Sequence, residues 1–416
     1  MLLQFKVKNF RSIRDDVYLS LIPSSDKTHP ENIAYAGERG AVKTIAIYGA
    51  NAAGKSNVIL AFVAAIMAVR TSDVRNVGQK INGMVPFKLD EETEKQPCSF
   101  EFFFVGKDGI PYRYGFSADE DCVHEEYLYR YISARPSRIF ERIGDKFEYN
   151  KAEKSQLEVY EEKNAPNKFF LSTATNWNYE KTAPVYQWLT ESIDVYRSDF
   201  PMKAESIENY QHDPDGDLKK FTLQLLHQAD INIDDIDVQI IPLPLAFNAY
   251  ANNAEMPLQR QAKMVQIHAG HKIKSKNGEQ KQFYFDLNEE SLGTKQIFQM
   301  SSILKDVLEN GKVMVVDELD SSLHPFLVKF LVELFHNPEV NKTGAQLIFS
   351  THDTSLLSLD TFRRDQIYFV EKDPHMAFTD LYSLDEFSVR KNENVQNGYL
   401  LGRYGAVPYL RPQGGL

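Results

Sequence analysis

Cysteine is nearly absent: 416 residues hold only Cys98 and Cys122. Two thiols cannot build a four-cysteine zinc site, and a chain this long does not need a disulfide to fold. They read as the reduced thiols of a cytosolic protein. Long apolar runs are missing too. The longest, Val58 to Val69, has 12 residues, against the roughly 20 that a membrane-spanning helix needs. It is expected to be a buried helix, and no membrane partner is expected. Positive charge is in deficit, 47 Lys and Arg against 58 Asp and Glu, for a net −11. Such a chain is a poor general binder of nucleic acid, whose phosphates require clustered Lys and Arg. The balance argues against DNA as a partner and leaves room only for a local basic stripe. There is no internal repeat, no low-complexity segment and no sustained heptad pattern. No signal peptide is recognised, since MLLQFKVKNFRSI alternates apolar and polar residues as a strand does.

What is present is a patterned globular chain. Residues 1–23 read as two strands, and 24–42 as a polar loop. KTIAIY (43–48) is a short, nearly continuous apolar run, the mark of a strand buried on both faces. From about 86 to 149, aromatic and β-branched segments separated by turn residues predict an antiparallel meander. Residues 150–235 show apolar residues at three- and four-residue spacing and are expected to be mostly helical, with strand-like text returning over 236–290. Beyond 290 come a helix, KVMVVDE, a second helix, AQLIFSTHD and RRDQIYFVEKD. Apolar strands alternating with helices imply an α/β fold with a parallel sheet. The division expected is an N-terminal lobe (1–149), an inserted, largely helical region (150–290) and a C-terminal lobe (291–416).

Three segments carry chemistry. Gly49-Ala-Asn51-Ala-Ala-Gly54-Lys55-Ser56 fits the phosphate-binding loop pattern between a buried strand and a helix. Glycines let backbone N–H groups face phosphate oxygens, and the helix N-terminus adds a positive dipole end. Lys55 can reach the outer phosphates of ATP, and Ser56 can ligate Mg²⁺. The apolar strand 313–316 runs into Asp317 and Glu318. Both acids are then expected at the carboxyl edge of the sheet, where α/β folds bind ligands. Asp317 is the candidate Mg²⁺ ligand and Glu318 the candidate general base. His352 ends the next apolar strand, 35 residues after Asp317, and is a candidate to contact the terminal phosphate or the attacking water. His268 and His271 lack further Cys or Asp ligands nearby in sequence and are not read as a metal site.

These segments resemble the ABC-type ATPase heads of the RecF, SMC and OLD class, with a mixed core sheet, an antiparallel β-subdomain and an inserted helical region. KNFRSI resembles that class's first-strand motif, which implies that Arg11 lies near the phosphates. Asn51 and Asn57 fit its loop variant, G-x-N-x-x-G-K-S-N. Ser291-Leu-Gly293-Thr-Lys295 is similar to the ABC signature, 26 residues before Asp317. The resemblance implies that this signature caps the ATP held by a second copy of the chain. Leu292 stands where the signature usually has glycine, His324 replaces an acidic residue, and only Gln79 and Gln96 offer themselves as a glutamine loop. NEESLGTKQ, VVDELDSSLHP, QLIFSTHDTSLL and YLLGRYGAVP are similar to blocks of the RloA and AbiL type of abortive-infection ATPase. That likeness implies a cytoplasmic, ATP-hydrolysing regulator that assembles with itself and controls a separate nuclease or toxin subunit. The alternative implied is a RecF/SMC-like DNA-repair ATPase. A fused nuclease of the OLD kind is not expected, with 64 residues after His352.

Overall fold

Residues 44–49 are buried one after another, as in a strand covered on both faces. The computed structural model describes residues 1–197, 209–210, 212–242, 263–274 and 277–408. In chain order the first strands are β1 (Leu2–Lys8), β2 (Val17–Ser20), β3 (Ile33–Ala36), β4 (Arg39–Val42) and β5 (Thr44–Gly49). Helix α1 (Lys55–Arg70) follows, then β6 (Cys98–Val105), β7 (Pro111–Ala118), β8 (Val123–Arg130), β9 (Ser137–Ile143) and β10 (Lys146–Tyr149). Next come α2 (Phe170–Asn176), α3 (Ala183–Glu191), β11 (Ile193–Arg197) and α4 (Asp217–Gln228). Strands β12 (Asp235–Pro242), β13 (Lys263–Lys274) and β14 (Gln280–Asp286) precede α5 (Leu292–Asn310) and β15 (Val313–Asp317). The chain continues with α6 (Pro325–His336), β16 (Gln346–Ser350), β17 (Ile367–Lys372), β18 (Thr379–Ser383) and α7 (Val395–Leu400).

Two compact units emerge. The first holds 1–197, 307–321 and 328–416; the second holds 198–306 and 322–327. The expected boundaries at 150 and 290 therefore differ from the packing, because 150–197 belongs with the first unit. The reason is aromatic: Trp188 of α3 stacks on Phe104 of β6, and Phe170 of α2 meets Phe140 of β9 edge-on. Periodicity reveals that a helix has an apolar face, not which sheet will cover it. The stretch 24–42 likewise departs from a simple loop, since β3 and β4 pair as a hairpin around Gly37.

The first unit has two large sheets. One is fully antiparallel, ordered β10-β9-β8-β7-β6-β1-β2, so the N-terminal strands complete the expected meander. The other is the α/β core, ordered β11-β15-β16-β5-β17-β18. Its first five strands run parallel and β18 is antiparallel. Helix α1 turns Val58, Ile59, Phe62 and Ala65 into the core, and Phe5 of β1 stacks on Phe62. The apolar run that is too short to cross a membrane is thus used to cement sheet to helix. Among the described residues no helix is long and apolar enough to span a bilayer. The second unit carries α4, most of α5 and the three-stranded antiparallel sheet β12-β13-β14.

Two buried polar clusters fix the first unit. Glu126, fully buried on β8, accepts hydrogen bonds from the N–H groups of Phe170 and Leu171 at the start of α2 and from the Tyr114 hydroxyl. Burial pushes its pKa up, while Arg142 and those donors oppose the shift. The second cluster lies beneath β5. Gln366 Oε1 accepts from Asn32 Nδ2 and from the N–H of Arg363, which orients the amide. Its NH₂ then donates to Thr44 Oγ1 at 2.6 Å, leaving that hydroxyl to donate to His336 Nε2 at 2.7 Å. His336 is therefore held neutral, and burial, then the charge of Lys43, pushes it down to about 3. The unfolded chain protonates this ring near pH 6.5, so the folded state loses about 1.4 kcal/mol per pH unit as acidity increases below that point. We expect urea unfolding to show a loss between pH 6.5 and 5 about 2 kcal/mol larger in the native chain than in His336→Gln. Equal pH slopes for the two proteins would contradict it.

Candidate functional site

The loop after β5 is shaped by close approaches that admit only glycine. A Cβ on Gly49 would lie 2.4 Å from the Val370 carbonyl oxygen, and one on Gly54 would lie 2.2 Å from Thr379 Oγ1. Gly54 also has φ +118°, a conformation that side chains disfavour. It caps α1 without any side-chain acceptor, and no acid occupies the first turn. The leading N–H groups of the helix thus face the loop as an uncovered anion site.

Lys55, the first residue of α1, is nearly buried. Its Nζ donates to the carbonyl oxygens of Gly49 (2.8 Å) and Ala50 (3.2 Å) and lies 3.4 Å from His352 Nδ1. Burial lowers its affinity for a proton, and the charges of Glu318, Asp320 and Asp317 oppose that shift. Ser56 donates to Asp317 Oδ1 at 3.2 Å. Asp317 ends β15, and the same Oδ1 accepts from Ser350 Oγ at 2.7 Å at the tip of β16. Ser350 Oγ also accepts the N–H of Glu318 at 2.8 Å. The Ser56–Asp317 pair, a half-buried hydroxyl and a buried carboxylate at a strand tip, is an all-oxygen donor set, and it fits a hard divalent cation such as Mg²⁺.

Glu318 takes φ +55°, in the left-handed region that costs a non-glycine residue about 1 kcal/mol or more. The turn takes its side chain out of the strand direction and into the cleft. There its carboxylate stands 3.9 Å from His352 Nε2, and both groups are about half exposed. His352 is itself anchored through its N–H, which donates to Asp320 Oδ2 at 3.0 Å. Asn51, Gly54, Lys55, Ser56, Asn57, Glu318 and His352 line one open cleft of about 820 Å³.

Other residues anticipated from the sequence lie elsewhere. Arg11 does not line this cleft; its guanidinium packs over the Phe10 ring. Gln79 and Gln96 do not line it either. In the second unit, Ser291 Oγ accepts the N–H of Thr294 and so caps its own helix α5, while Lys295 Nζ donates to the Asn288 carbonyl. Gly293 sits where a Cβ would come within 2.9 Å of the Ser322 carbonyl oxygen. His271 pairs with Glu290 at 2.7 Å and His268 with Asp237 at 3.8 Å, and among the described residues neither joins a cluster of three metal ligands.

Sequence reasoning missed a clamp on the loop. Asn57 Nδ2 donates to Ser12 Oγ at 2.6 Å, Ser12 Oγ meets Thr379 Oγ1 at 2.7 Å, and Thr379 Oγ1 donates to the Ala53 carbonyl at 2.8 Å. Ser12 lies inside KNFRSI and was within reach of that reading. Thr379, on the antiparallel edge strand β18, carries no motif.

Residues 45–358, about three quarters of the chain, match the family described as "AAA domain, putative AbiEii toxin, Type IV TA system". The chain belongs to this AAA-domain family. No curated protein matches the sequence. Among solved structures, an SMC head bound to the C-winged helix domain of ScpA is 12% identical, with a TM-score of 0.41, over 92% of this chain and 97% of that one. The recombination mediator RecF with ATP is 13% identical, with a TM-score of 0.39, over the same shares of the two chains. The family model spans β5, the strand-end acids and every residue that lines the cleft, from Ala50 to His352.

Proposed function

We propose that this AAA-family ATPase hydrolyses ATP in the cleft at the tips of β5, β15 and β16. We further propose that it serves as the nucleotide-controlled regulator of a bacterial antiphage system whose toxin or nuclease is a separate subunit. The observation that carries the first part is the convergence of Lys55, Ser56, Asp317, Glu318 and His352 from segments about 300 residues apart. In this reading the loop N–H groups and Lys55 hold the phosphates of ATP. Ser56 and Asp317 would hold the Mg²⁺ ion, which supplies charge neutralisation for the phosphates. Glu318 takes a proton from the attacking water, which can sit to one side of the 3.9 Å line from Glu318 to His352 and reach both groups. His352 steadies the terminal phosphate. The AbiEii and toxin–antitoxin words in the family description support the regulatory half.

The reading includes assembly with a second copy, whose Ser291, Gly293 and Lys295 would approach the ATP held by the first. The N-terminus of α5, with glycine in its first turn, is the kind of surface that suits phosphate. Arg11, which does not line the cleft but is next in sequence to the Ser12 that holds Asn57, is proposed as a further phosphate contact once ATP is bound. Phosphate release by the purified chain with Mg·ATP, measured with and without duplex DNA, tests this function. Steady turnover indifferent to DNA is the expected result. Absence of turnover would overturn the hydrolytic assignment. Turnover dependent on DNA would replace the regulator by a DNA-repair ATPase, a role that the net charge of −11 disfavours.

A further inference from the structure

The turn between β7 and β8 carries a cluster that the nucleotide cleft does not use. Asp119 Oδ1 accepts from the N–H groups of Asp121 (2.7 Å) and Cys122 (2.8 Å), which folds the turn back and leaves Oδ2 facing across it. His124, on β8, places Nε2 2.6 Å from that Oδ2 and 3.6 Å from Cys122 Sγ. The three ligand atoms lie within 4.8 Å of one another, and all three residues are partly buried. Among the described residues no other group of His, Cys, Asp and Glu side chains converges in this way.

Two features set the cluster apart from an ion pair closing a hairpin. The carboxylate oxygen and the sulfur address the same ring nitrogen. A proton on Nε2 can serve only one of them, and a relay from thiol through imidazole to carboxylate would use both ring nitrogens. A cation at the common focus would serve all three. The spacing agrees: metal bonds of about 2.1 Å to nitrogen and 2.3 Å to sulfur at a tetrahedral angle separate N and S by about 3.6 Å, as found here. The Asp119–His124 separation must widen by about 0.8 Å for the same geometry, a movement open to two side chains that are each 41% exposed. The thiol is not poised as a nucleophile, because burial and then the charge of Asp119 push it up. The neighbouring acids are occupied elsewhere, Glu120 and Asp121 both pairing with Lys80.

We propose that Asp119, Cys122 and His124 form a binding site for a zinc-class divalent ion on the β7–β8 turn, with one position left for water. Thiolate, imidazole and carboxylate together select a borderline-soft ion over Mg²⁺ or Ca²⁺. The N–H of Ile81 donates to the Glu120 carbonyl at 2.7 Å, so a filled site also stiffens the anchorage of the segment that follows α1.

Cobalt(II) tests the site on the full, reduced chain. A thiolate–cobalt charge-transfer band in the near ultraviolet is expected, saturating at one ion per chain and displaced by Zn²⁺. The band is specific to Cys122, because the other thiol, Cys98, is buried and the nucleotide cleft offers no sulfur. Cys122→Ser, a one-atom change on the surface, should abolish it, and His124→Asn should weaken cobalt binding at least about tenfold. No band in the native chain, a band that survives Cys122→Ser, or unchanged affinity in His124→Asn would each overturn the proposal.

Discussion

Glu318→Gln is expected to slow ATP turnover by about 10²- to 10⁴-fold, the usual contribution of a positioned general base, while leaving ATP affinity within a few-fold. The amide has the shape of the carboxylate but cannot take a proton from water. The backbone that aims the side chain should survive the change, because the Glu318 N–H is held by Ser350 Oγ and the turn is made at the main chain. A structural role would instead show as lost binding or a lowered Tm. Phosphate release and equilibrium binding of a fluorescent ATP analogue, measured on the same preparation, separate the two. Turnover within threefold of the native chain would remove Glu318 from the reaction and direct attention to His352, 3.9 Å away.

Lys55→Ala should weaken ATP binding by about 10- to 100-fold, from the 1.5–3 kcal/mol that a hydrogen bond to a charged group contributes. Its ammonium is nearly buried, is held by two loop carbonyls, and faces three carboxylates. Removing it leaves Glu318, Asp320 and Asp317 as an uncompensated negative rim, which adds repulsion of the nucleotide to the lost contact. The deficit should therefore grow at low ionic strength, where exposed charges are screened least. Titration calorimetry at two salt concentrations would show both effects. Equal ATP affinity in the variant and the native chain would dismiss the loop as a phosphate cradle.

The parts of this site that the sequence discloses are those whose chemistry is local. Gly49 to Ser56 encode a turn, a helix start and a cation within eight consecutive residues, and the strand before them is nearly continuously apolar. The positions of Asp317, the last residue of β15, and His352, two residues past β16, are legible for the same reason: each closes a short apolar run. Partners drawn from distant text are not legible. Ser350 is one polar residue at a strand tip, yet it joins Asp317 to the backbone of Glu318. Thr379 meets Ser12 across 367 positions, and nothing in either neighbourhood names the other. The fold shows the same division. The parallel core follows from apolar strands alternating with helices. The five residues of β11 at its edge and the β3–β4 hairpin are too short for periodicity to register. The attachment of 150–197 to the antiparallel sheet depends on which aromatic faces meet, and only the assembled sheets decide that.

The place of β5 in the core sheet has a consequence for biosynthesis. This strand lies between β16 and β17, so both of its neighbours are made about 300 residues after it. At 5–20 residues per second, the six buried residues of β5 wait roughly 15–60 s for their first partner strand. For that interval the newborn phosphate loop has no sheet to stand on, and the nucleotide cleft forms only after residue 352 has left the ribosome.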